Sequence, residues 1–343
     1  MDTRASQELL HTNKDLHKLI APQADYWRFK ISYETVVIFI YLHLSAIYGL
    51  YLCFTSAHWA TIIHGLVFLE AALLGVLAGA HRLWSHRSFK AKLPLQIILV
   101  IFQSMGGQFT VLNWAKDHRV HHKHSDTDAD PHNSTRGFFF SHVGWWLVHK
   151  HPEVKRRGAS VDLSDLKNNP VVSFQYNKHG FAFIVMFTYV IPTLVPMLFW
   201  GETLKNAYFV NILRSVLCQN CTSMINSFAH AFGNRPYDKE VRATENMAVT
   251  LATLGEGFHN YHHAFPWDYR AAELGISRFN LTSAFIDFFA WIGWAYDLKT
   301  VEYDVVAKRA KRCGDGTFIE LEPQGEMHCK DKLELNSAYA RFY

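Results

Sequence analysis

Cysteine is scarce in this chain of 343 residues, and its five positions are scattered: Cys53, Cys218, Cys221, Cys313 and Cys329. An odd number without regular spacing does not predict a disulfide framework. Cys218 and Cys221 have CxxC spacing, but they lie inside an apolar run without a second pair, so we interpret them as small packing residues. This use of cysteine is typical of a protein that faces a reducing compartment.

A cleavable secretory signal is missing ahead of the first apolar run. The leader before it contains Lys14, Lys18, Arg28 and Lys30, with no short apolar core and no small-residue cleavage site. We therefore expect residues 1–32 to form a cytosolic leader and residues 313–343 a polar C-terminal tail. The net charge is only +4, and no nucleic-acid partner is expected.

Long apolar runs are present, and each approaches the roughly 20 residues that a membrane-spanning helix needs. They occupy residues 33–54, 58–80, 180–200 and 206–227. Helices of soluble proteins rarely carry such runs. The sequence therefore predicts an all-α integral membrane protein with four transmembrane helices.

The connectors between these runs predict the topology. "TSAHW" and "GETLK" carry little charge, whereas the leader, residues 81–178 and the chain after Ala229 are rich in Lys and Arg. Positive charge stays on the cytosolic side. We expect two hairpins, both termini in the cytosol, and a cytosolic helical cap built from residues 81–178 and 228–312. One domain would then run from residue 33 to residue 312.

Two further apolar stretches are poorer candidates for crossing the membrane. Residues 93–112 contain three glutamines and two glycines, and residues 280–294 are short and aromatic. We interpret both as helices that lie in the interface or partly buried on the cytosolic face. A crossing by the first would also place His81 and His118 on opposite sides of the membrane.

Histidine is abundant, with 21 residues, and three dense groups follow the apolar hairpins. The second and third groups, HRVHH from His118 and HNYHH from His259, share the spacing HxxHH, which places three imidazoles on one helical face. In the first group, HRLWSH, His81 and His86 are five positions apart, which corresponds to a turn of about 140° in an α-helix. These two rings converge only if the helix ends or bends between them.

Eight imidazoles exceed one tetrahedral site and imply at least two metal ions. Imidazole suits zinc, copper, iron and nickel, so ligand type alone leaves the metal open. The zinc-protease motif HExxH is absent, and so is the soluble carboxylate pattern of Glu with Glu-x-x-His. A metal transporter or sensor is disfavoured, because most histidines lie outside the spans, and Glu70 and Arg214, the charges that could lie inside the membrane, form no histidine path.

HRLWSH, HRVHH and HNYHH resemble the histidine boxes of membrane fatty acyl-CoA desaturases, the animal stearoyl-CoA desaturase type with its delta-9 and delta-11 members. "DADPHNSTRGFFFSHVGWWLV", "FGNRPYDKE" and "GEGFHNYHHAFPWDY" extend the similarity over residues 26–317. The resemblance implies four spans, a cytosolic cap and two iron ions held by histidine. It also implies a double bond inserted into a fatty acyl-CoA at the endoplasmic reticulum. O₂ and electrons from cytochrome b5 and its NADH-dependent reductase would drive the reaction.

The same resemblance assigns a ninth histidine, in the stretch Asn226-Ser-Phe-Ala-His230, with Asn226 acting through a water molecule. The implied metal ligands, which are also the catalytic residues, are His81, His86, His118, His121, His122, His230, His259, His262 and His263. Nearby acids can orient such rings. Asp117, Asp130 and Glu256 are candidates for that role, and ordinary cap carboxylates are an equally good interpretation of them.

Substrate contacts are also implied by the resemblance. Lys116, Asp117 and Lys150 match positions that contact coenzyme A, with Lys116 standing where Arg is usual. Thr35 replaces an Asn near the head group. Basic residues of a cytosolic cap also attract anionic lipid, which is the competing interpretation of the lysines.

Around the bend of the acyl chain, Gln108, Trp114 and Thr222 match the family. Phe109 stands where Asn is common, and Ser223 where Trp is common. Bulk is gained at one position and lost at the other. We expect a reshaped tunnel and a changed double-bond position.

Leu69 and Leu73, which share a helical face, match positions that close the far end of the tunnel. Tyr and Ala are common there. A larger side chain at 73 predicts acyl chains of about fourteen to sixteen carbons, each methylene carrying roughly 0.8 kcal/mol. A Leu73 that faces lipid or a neighbouring helix is the alternative. A membrane di-iron hydroxylase or acetylenase remains the rival activity, since it would use the same oxidant.

Overall fold

The computed structural model describes residues 30–272 and 280–319. Most of the predicted leader and tail, and with them the termini, lie outside these residues. In chain order the principal elements are α1 (Tyr33–Thr55), α2 (Trp59–Leu74) with its π-helical continuation (Gly75–Ser85), β1 (Lys90–Ala91), α3 (Leu93–Met105), α4 (Val111–His124), α5 (Phe138–His142), α6 (Pro152–Ala159), α7 (Ser164–Lys167), α8 (Pro170–Tyr176), α9 (Gly180–Trp200), α10 (Leu204–Ala231), α11 (Met247–Ala252), α12 (His259–Ala264), α13 (Leu281–Trp291), β2 (Ala295–Tyr296) and α14 (Tyr303–Cys313).

Three of these helices are long and apolar enough to cross a membrane: Tyr33–Thr55, Trp59–Ser85 and Gly180–Trp200, with mean hydropathies of 2.0, 2.0 and 2.1. Their outward side chains are large and apolar, as at Ile47 and Phe54, which are 66% and 83% exposed. An apolar surface of this extent is typical of contact with lipid. The first two predicted spans end later than expected, and the second carries His81 within its helix.

The helix α10 has 28 residues and coincides with the fourth predicted span, but it is more polar than the other three. Asn206, Asn211, Arg214 and Gln219 are all buried on it. It packs against α1 so closely that a Cβ on Gly49 would lie 2.2 Å from the Phe209 carbonyl oxygen. Polar side chains thus face protein neighbours. Its crossing of the membrane stays a prediction.

The helices α3 and α13 have 13 and 11 residues, fewer than the roughly 20 that a span requires. β1 and β2 form a short antiparallel pair that joins the start of α3 to the end of α13. Leu95, Leu99 and Ile286 share one buried core there. A Cβ on Gly75 would lie 2.1 Å from the Gln103 amide nitrogen, so α3 also packs closely against the second long helix at Gly75.

Candidate metal centre and substrate cavity

The first histidine pair converges because the helix changes its geometry before it ends. Residues Gly75–Ser85 form a π-helix, and the His86 amide donates to the His81 carbonyl five residues earlier at 3.1 Å. A π-turn brings residues i and i+5 towards one face, whereas an α-helix would separate them. The ring centroids are 4.9 Å apart. The two rings converge as expected, but they do so through π-helical geometry and not through an end or bend of the helix between them.

The two HxxHH groups lie on helices as the spacing predicts. His118, His121 and His122 occupy the last turns of α4, and all of HNYHH lies on α12. His230 lies in the last turn of α10. His86 and His118 touch through their Nε2 atoms at 2.8 Å, so the intervening α3 does not separate these two groups.

The nine histidines implied by the resemblance form two sets, and the ligand atoms of each set lie within 4.8 Å of one another. The first set contains His81, His86, His118, His122 and His262, and the second contains His121, His230, His259 and His263. Each HxxHH helix contributes to both sets. On α4 the outer two histidines belong to the first set and the middle one to the second.

The distances between Nε2 atoms fit ligands of a common ion. They are 3.0 Å for His81 and His262, 3.0 Å for His122 and His262, and 3.1 Å for His230 and His259. Two nitrogens bound at about 2.1 Å and at right angles are about 3.0 Å apart, and a tetrahedral angle gives about 3.4 Å. Each set therefore offers converging lone pairs at the spacing that a divalent metal requires.

Electrostatics favours the neutral imidazole, the form that binds metal. Burial, followed by the neighbouring rings, lowers the pKa well below the usual value at His86, His118, His122, His259, His262 and His263. His121 differs. Burial lowers its pKa, but the charge and hydrogen bond of Asp130 outweigh burial and raise the pKa overall.

Carboxylates lie behind both sets. His121 Nδ1 is 2.9 Å from Asp130 Oδ2, His81 Nδ1 is 3.1 Å from Glu256 Oε2, and His230 Nδ1 is 3.4 Å from Asp126 Oδ2. Such partners orient metal-bound rings and select the tautomer. Asp130 and Glu256 were candidates from the sequence.

Asp126 was missed, although its place in "HSDTDADP" directly behind the second group was a usable signal. Asp117 does not join the carboxylates behind the rings. It pairs instead with Lys150.

Arg82 was not identified from the sequence. Its guanidinium is buried and donates to Glu256 Oε1 at 3.0 and 2.8 Å, to the Tyr269 carbonyl at 2.9 Å and to Ser283 Oγ at 2.9 Å. It holds the carboxylate that faces His81. Its position directly after a ligand within HRLWSH was the only local signal.

One cavity reaches both sets of histidines and encloses about 720 Å³ of empty space, including the part open to solvent. Gln108 Nε2 donates to Thr222 Oγ1 at 2.9 Å, and Trp114 Nε1 donates to Gln108 Oε1 at 3.3 Å. Gln108, Trp114 and Thr222 line the cavity, and so do Phe109, Ser223 and Asn226. Four histidines of the two sets also line it: His81, His118, His121 and His259. The structure thus brings the predicted tunnel residues together beside the predicted metal ligands.

Other predicted contacts lie off this cavity. Leu73 is buried among Ala72, Val76 and Cys218, with Leu69 packed at the edge of that cluster, and the lining residues on their helix are Leu77 and His81. Burial of Leu73 excludes contact with lipid, whereas its packing against Cys218 of α10 fits the alternative in which it faces a neighbouring helix.

The residues predicted to contact the head group are also absent from the lining, except Asp117. Thr35 bonds Ser32 at the start of α1, at 2.8 Å. Lys116 packs along Gly158, where a Cβ would lie 3.1 Å from Lys116 Cε. Lys150 lies near the start of α1 in space, because the amide of the adjacent residue His149 donates to the Lys30 carbonyl at 2.8 Å.

Known proteins are similar in sequence to this chain over most of its length. Residues 57–296 match the family model described as Fatty acid desaturase. The chain is 56% identical over 301 residues to the acyl-CoA Delta(11) desaturase of Spodoptera littoralis, covering 88% of this chain and 89% of that protein. It is 54% identical over 316 residues to the (11Z)-hexadec-11-enoyl-CoA conjugase of Bombyx mori, covering 92% and 96%. Identity to the stearoyl-CoA desaturase of Homo sapiens is 49% over 302 residues, covering 87% and 81%.

Proposed function

Because the chain belongs to the fatty acid desaturase family and is an acyl-CoA desaturase, we propose that each of its two histidine sets holds one iron ion. The resemblance inferred from the histidine boxes is confirmed. The observation that carries the proposal is the division of nine converging histidines into two sets that both border one cavity.

Bound iron, with O₂ and electrons from cytochrome b5 and its NADH-dependent reductase, supplies an oxidant able to remove two hydrogens from an unactivated chain. No side chain can do this by acid–base chemistry, because these C–H bonds are not acidic. The residues of the chain supply placement and electrostatics. Neutral imidazoles leave the positive charge of the ions uncompensated, while Asp126, Asp130 and Glu256 orient the rings from behind.

The first set offers five imidazoles and the second offers four, so the second has room for a further ligand. Asn226 lies one helical turn before His230 and lines the cavity. We assign it to the second ion through a water molecule. The rings of both sets are buried or half-buried, which keeps bulk water away from the reacting carbons.

The acyl chain would occupy the cavity, with its bend at Gln108, Trp114 and Thr222. Phe109 and Ser223 then face the chain near the carbons that react. The coenzyme A head would lie on the cap near Lys116, Asp117, Lys150 and Thr35. Lys150 and Asp117 pair with each other, so a phosphate would have to exchange with Asp117 for the lysine.

The names of the relatives differ in the position of the double bond, including delta-11 and a conjugase. We propose a saturated acyl-CoA of about fourteen to sixteen carbons as substrate, because Leu73, buried one helical turn before the lining residue Leu77, would limit the space beyond it, and each added methylene carries roughly 0.8 kcal/mol.

We further propose that α10 is a fourth span, that the chain lies in the endoplasmic reticulum membrane, and that the cap and both termini face the cytosol. This arrangement would keep the histidine sets and the reductase on one side. Tags at either end should be digested by protease added to sealed microsomes. A tag protected at one end only would contradict the two paired hairpins.

Expression of the full chain in a desaturase-deficient yeast tests the activity. We expect new monounsaturated fatty acids, and none from the His262→Ala variant at equal membrane abundance. The exposed His149→Ala is the matched control and should remain active. Hydroxylated or acetylenic products in place of alkenes would support the rival activity.

A further inference from the structure

The cavity wall includes a short loop, residues 106–110, between α3 and α4. Gln108 and Phe109 line the cavity from this loop. Two of its residues are in the left-handed region, Gly107 at φ +65° and Phe109 at φ +61°. A phenylalanine rarely adopts this conformation, and it persists only where surrounding structure holds it.

Arg214 holds one end of the loop. It lies on α10 and is 2% exposed. Its guanidinium donates to the Met105 carbonyl at 2.7 Å, to the Thr188 carbonyl at 2.9 Å and to Asn211 Oδ1 at 2.9 Å. These acceptors are neutral. Met105 is the last residue of α3, so the cation also meets the negative end of that helix, directly before the loop begins.

Thr188 lies between Arg214 and the loop. Its hydroxyl donates to the Ser104 carbonyl at 2.6 Å, and its methyl group would be 3.0 Å from a Cβ on Gly107. Pro192 has no N–H to donate to the carbonyl four residues earlier, which is Thr188. That carbonyl is therefore available to Arg214. Thr188 and Arg214 together bind the last two carbonyls of α3.

Gln175 connects both ends of the loop. It is fully buried, and its amide nitrogen donates to Gln103 Oε1 at 2.7 Å and to Ser104 Oγ at 2.8 Å. Its oxygen accepts from the Val111 amide at 2.7 Å, just after the loop. Gln103 in turn donates to the Phe109 carbonyl at 3.0 Å. Side chains from four helices, α3, α8, α9 and α10, thus fix a loop of five residues.

We propose that Arg214, Thr188 and Gln175 are positioning residues that set the depth at which the acyl chain lies against the two histidine sets. They do so by fixing Gln108 and Phe109, and they thereby limit the reaction to one pair of carbons. This inference rests on the proposed desaturase function. A displacement of about 1 Å at a positioning group changes rates on the order of a hundredfold, and adjacent methylenes are only slightly farther apart.

The test measures the position of the double bond in the product. Microsomes containing the full-length chain receive hexadecanoyl-CoA, and positional isomers are counted in wild type, Thr188→Val, Gln175→Met, Arg214→Met and Arg214→Lys. Loss of one buried hydrogen bond to the loop should raise the ratio of minor to major isomers by about fivefold. Arg214→Lys retains a cation and should lie between wild type and Arg214→Met.

Thr61→Val is the matched control. Thr61 is also a buried threonine on a long helix, but its hydroxyl bonds Glu202 and Trp200, away from the cavity. It should leave the isomer ratio unchanged. If Thr188→Val and Gln175→Met lower total product but keep the wild-type ratio of isomers, the positioning role is refuted. If Arg214→Met does not accumulate in the membrane, the isomer ratios of Thr188→Val and Gln175→Met alone test the proposal. A wild-type chain that makes no unsaturated product would instead refute the proposed function.

Discussion

The Nδ1 atom of His121 lies 2.9 Å from Oδ2 of Asp130, and both side chains are buried. The Nε2 atom of the same ring faces His263 at 3.3 Å, within the second histidine set. One carboxylate therefore orients the ring from the side opposite the proposed ion. Asp130 also accepts from the backbone amides of Asp126 and His132, which hold it in place.

Asp130→Asn should weaken metal binding by about 10- to 100-fold, because the amide can no longer act as a charged acceptor for the His121 ring. Iron per chain, measured after dialysis against a graded series of chelator, gives the affinity. Asp128→Asn is the control, since Asp128 is largely exposed and pairs with Arg136. Equal iron retention in both variants would contradict a role for Asp130 at the ion.

Purified active enzyme should hold one iron per histidine set, and overproduced protein should also accept zinc, because imidazole binds both. Alanine at any member of either set should abolish activity while the chain still inserts. The positions are His81, His86, His118, His121, His122, His230, His259, His262 and His263. Metal analysis beside product analysis checks this, and an active enzyme without iron would refute the centre.

Phe109→Asn should stabilise the protein by about 1 kcal/mol, because asparagine tolerates the left-handed conformation better than phenylalanine. The midpoint of thermal unfolding in detergent is the measurement. Phe139→Asn is the control, since Phe139 is similarly exposed but lies in a right-handed helix. An unchanged or lower midpoint in Phe109→Asn would show that packing of the ring outweighs the backbone strain.

The double change Phe109→Asn/Ser223→Trp should alter the double-bond position, since both residues line the cavity beside Gln108. Mapping of product double bonds tests this. The same product profile as wild type would remove the idea that these two departures reshape the tunnel.

Glu202→Gln should destabilise the fold by about 2 kcal/mol, because hydrogen bonds to a charged acceptor are lost at a buried position. Glu202 accepts from Thr61 Oγ1 at 2.6 Å, from the His58 amide at 2.8 Å and from Asn206 Nδ2 at 3.0 Å, joining the two hairpin ends. Thermal unfolding of this variant is compared with that of Glu240→Gln, whose side chain is exposed.

The Glu202 contribution should also depend on pH. Burial raises the pKa of Glu202, but hydrogen bonds from Thr61 and neighbouring amides outweigh burial and lower it overall. The stabilisation is therefore complete above the unfolded pKa of 4.5 and is lost as pH falls through the lower folded pKa. Wild type and Glu202→Gln should converge in stability at acid pH; a constant difference would contradict the lowered pKa.

Leu73→Ala should shift the substrate preference towards eighteen carbons, because it would open space one helical turn before Leu77, which lines the cavity. The measurement is the ratio of products from competing hexadecanoyl-CoA and octadecanoyl-CoA. A ratio is insensitive to any loss of protein stability that the removed leucine side chain causes. Leu66→Ala, on the exposed face of the same helix, is the control. If Leu73→Ala gives the wild-type ratio, another residue sets the length.

The sequence by itself determined the long helices and the helical faces of the histidine groups. Apolar runs as long as a bilayer is thick have few other conformations, and HxxHH places its three rings by backbone periodicity alone. The need for a departure from α-helical geometry between His81 and His86 followed from the same periodicity. Its form, a π-helix continuing α2, did not, because no glycine or proline pattern specifies that geometry in advance.

Only the tertiary structure decided which rings belong together. His118 and His122 meet His81 and His86 from the end of the second long helix, whereas His121 meets His230 from α10, and local spacing does not specify these approaches. Arg82, Asp126 and Gln175 gained their roles in the same way, since each bonds a partner far away in the chain or on another helix. Periodicity is a property of a segment, whereas a shared ligand, a buried acceptor or a held loop exists only once separate segments have packed.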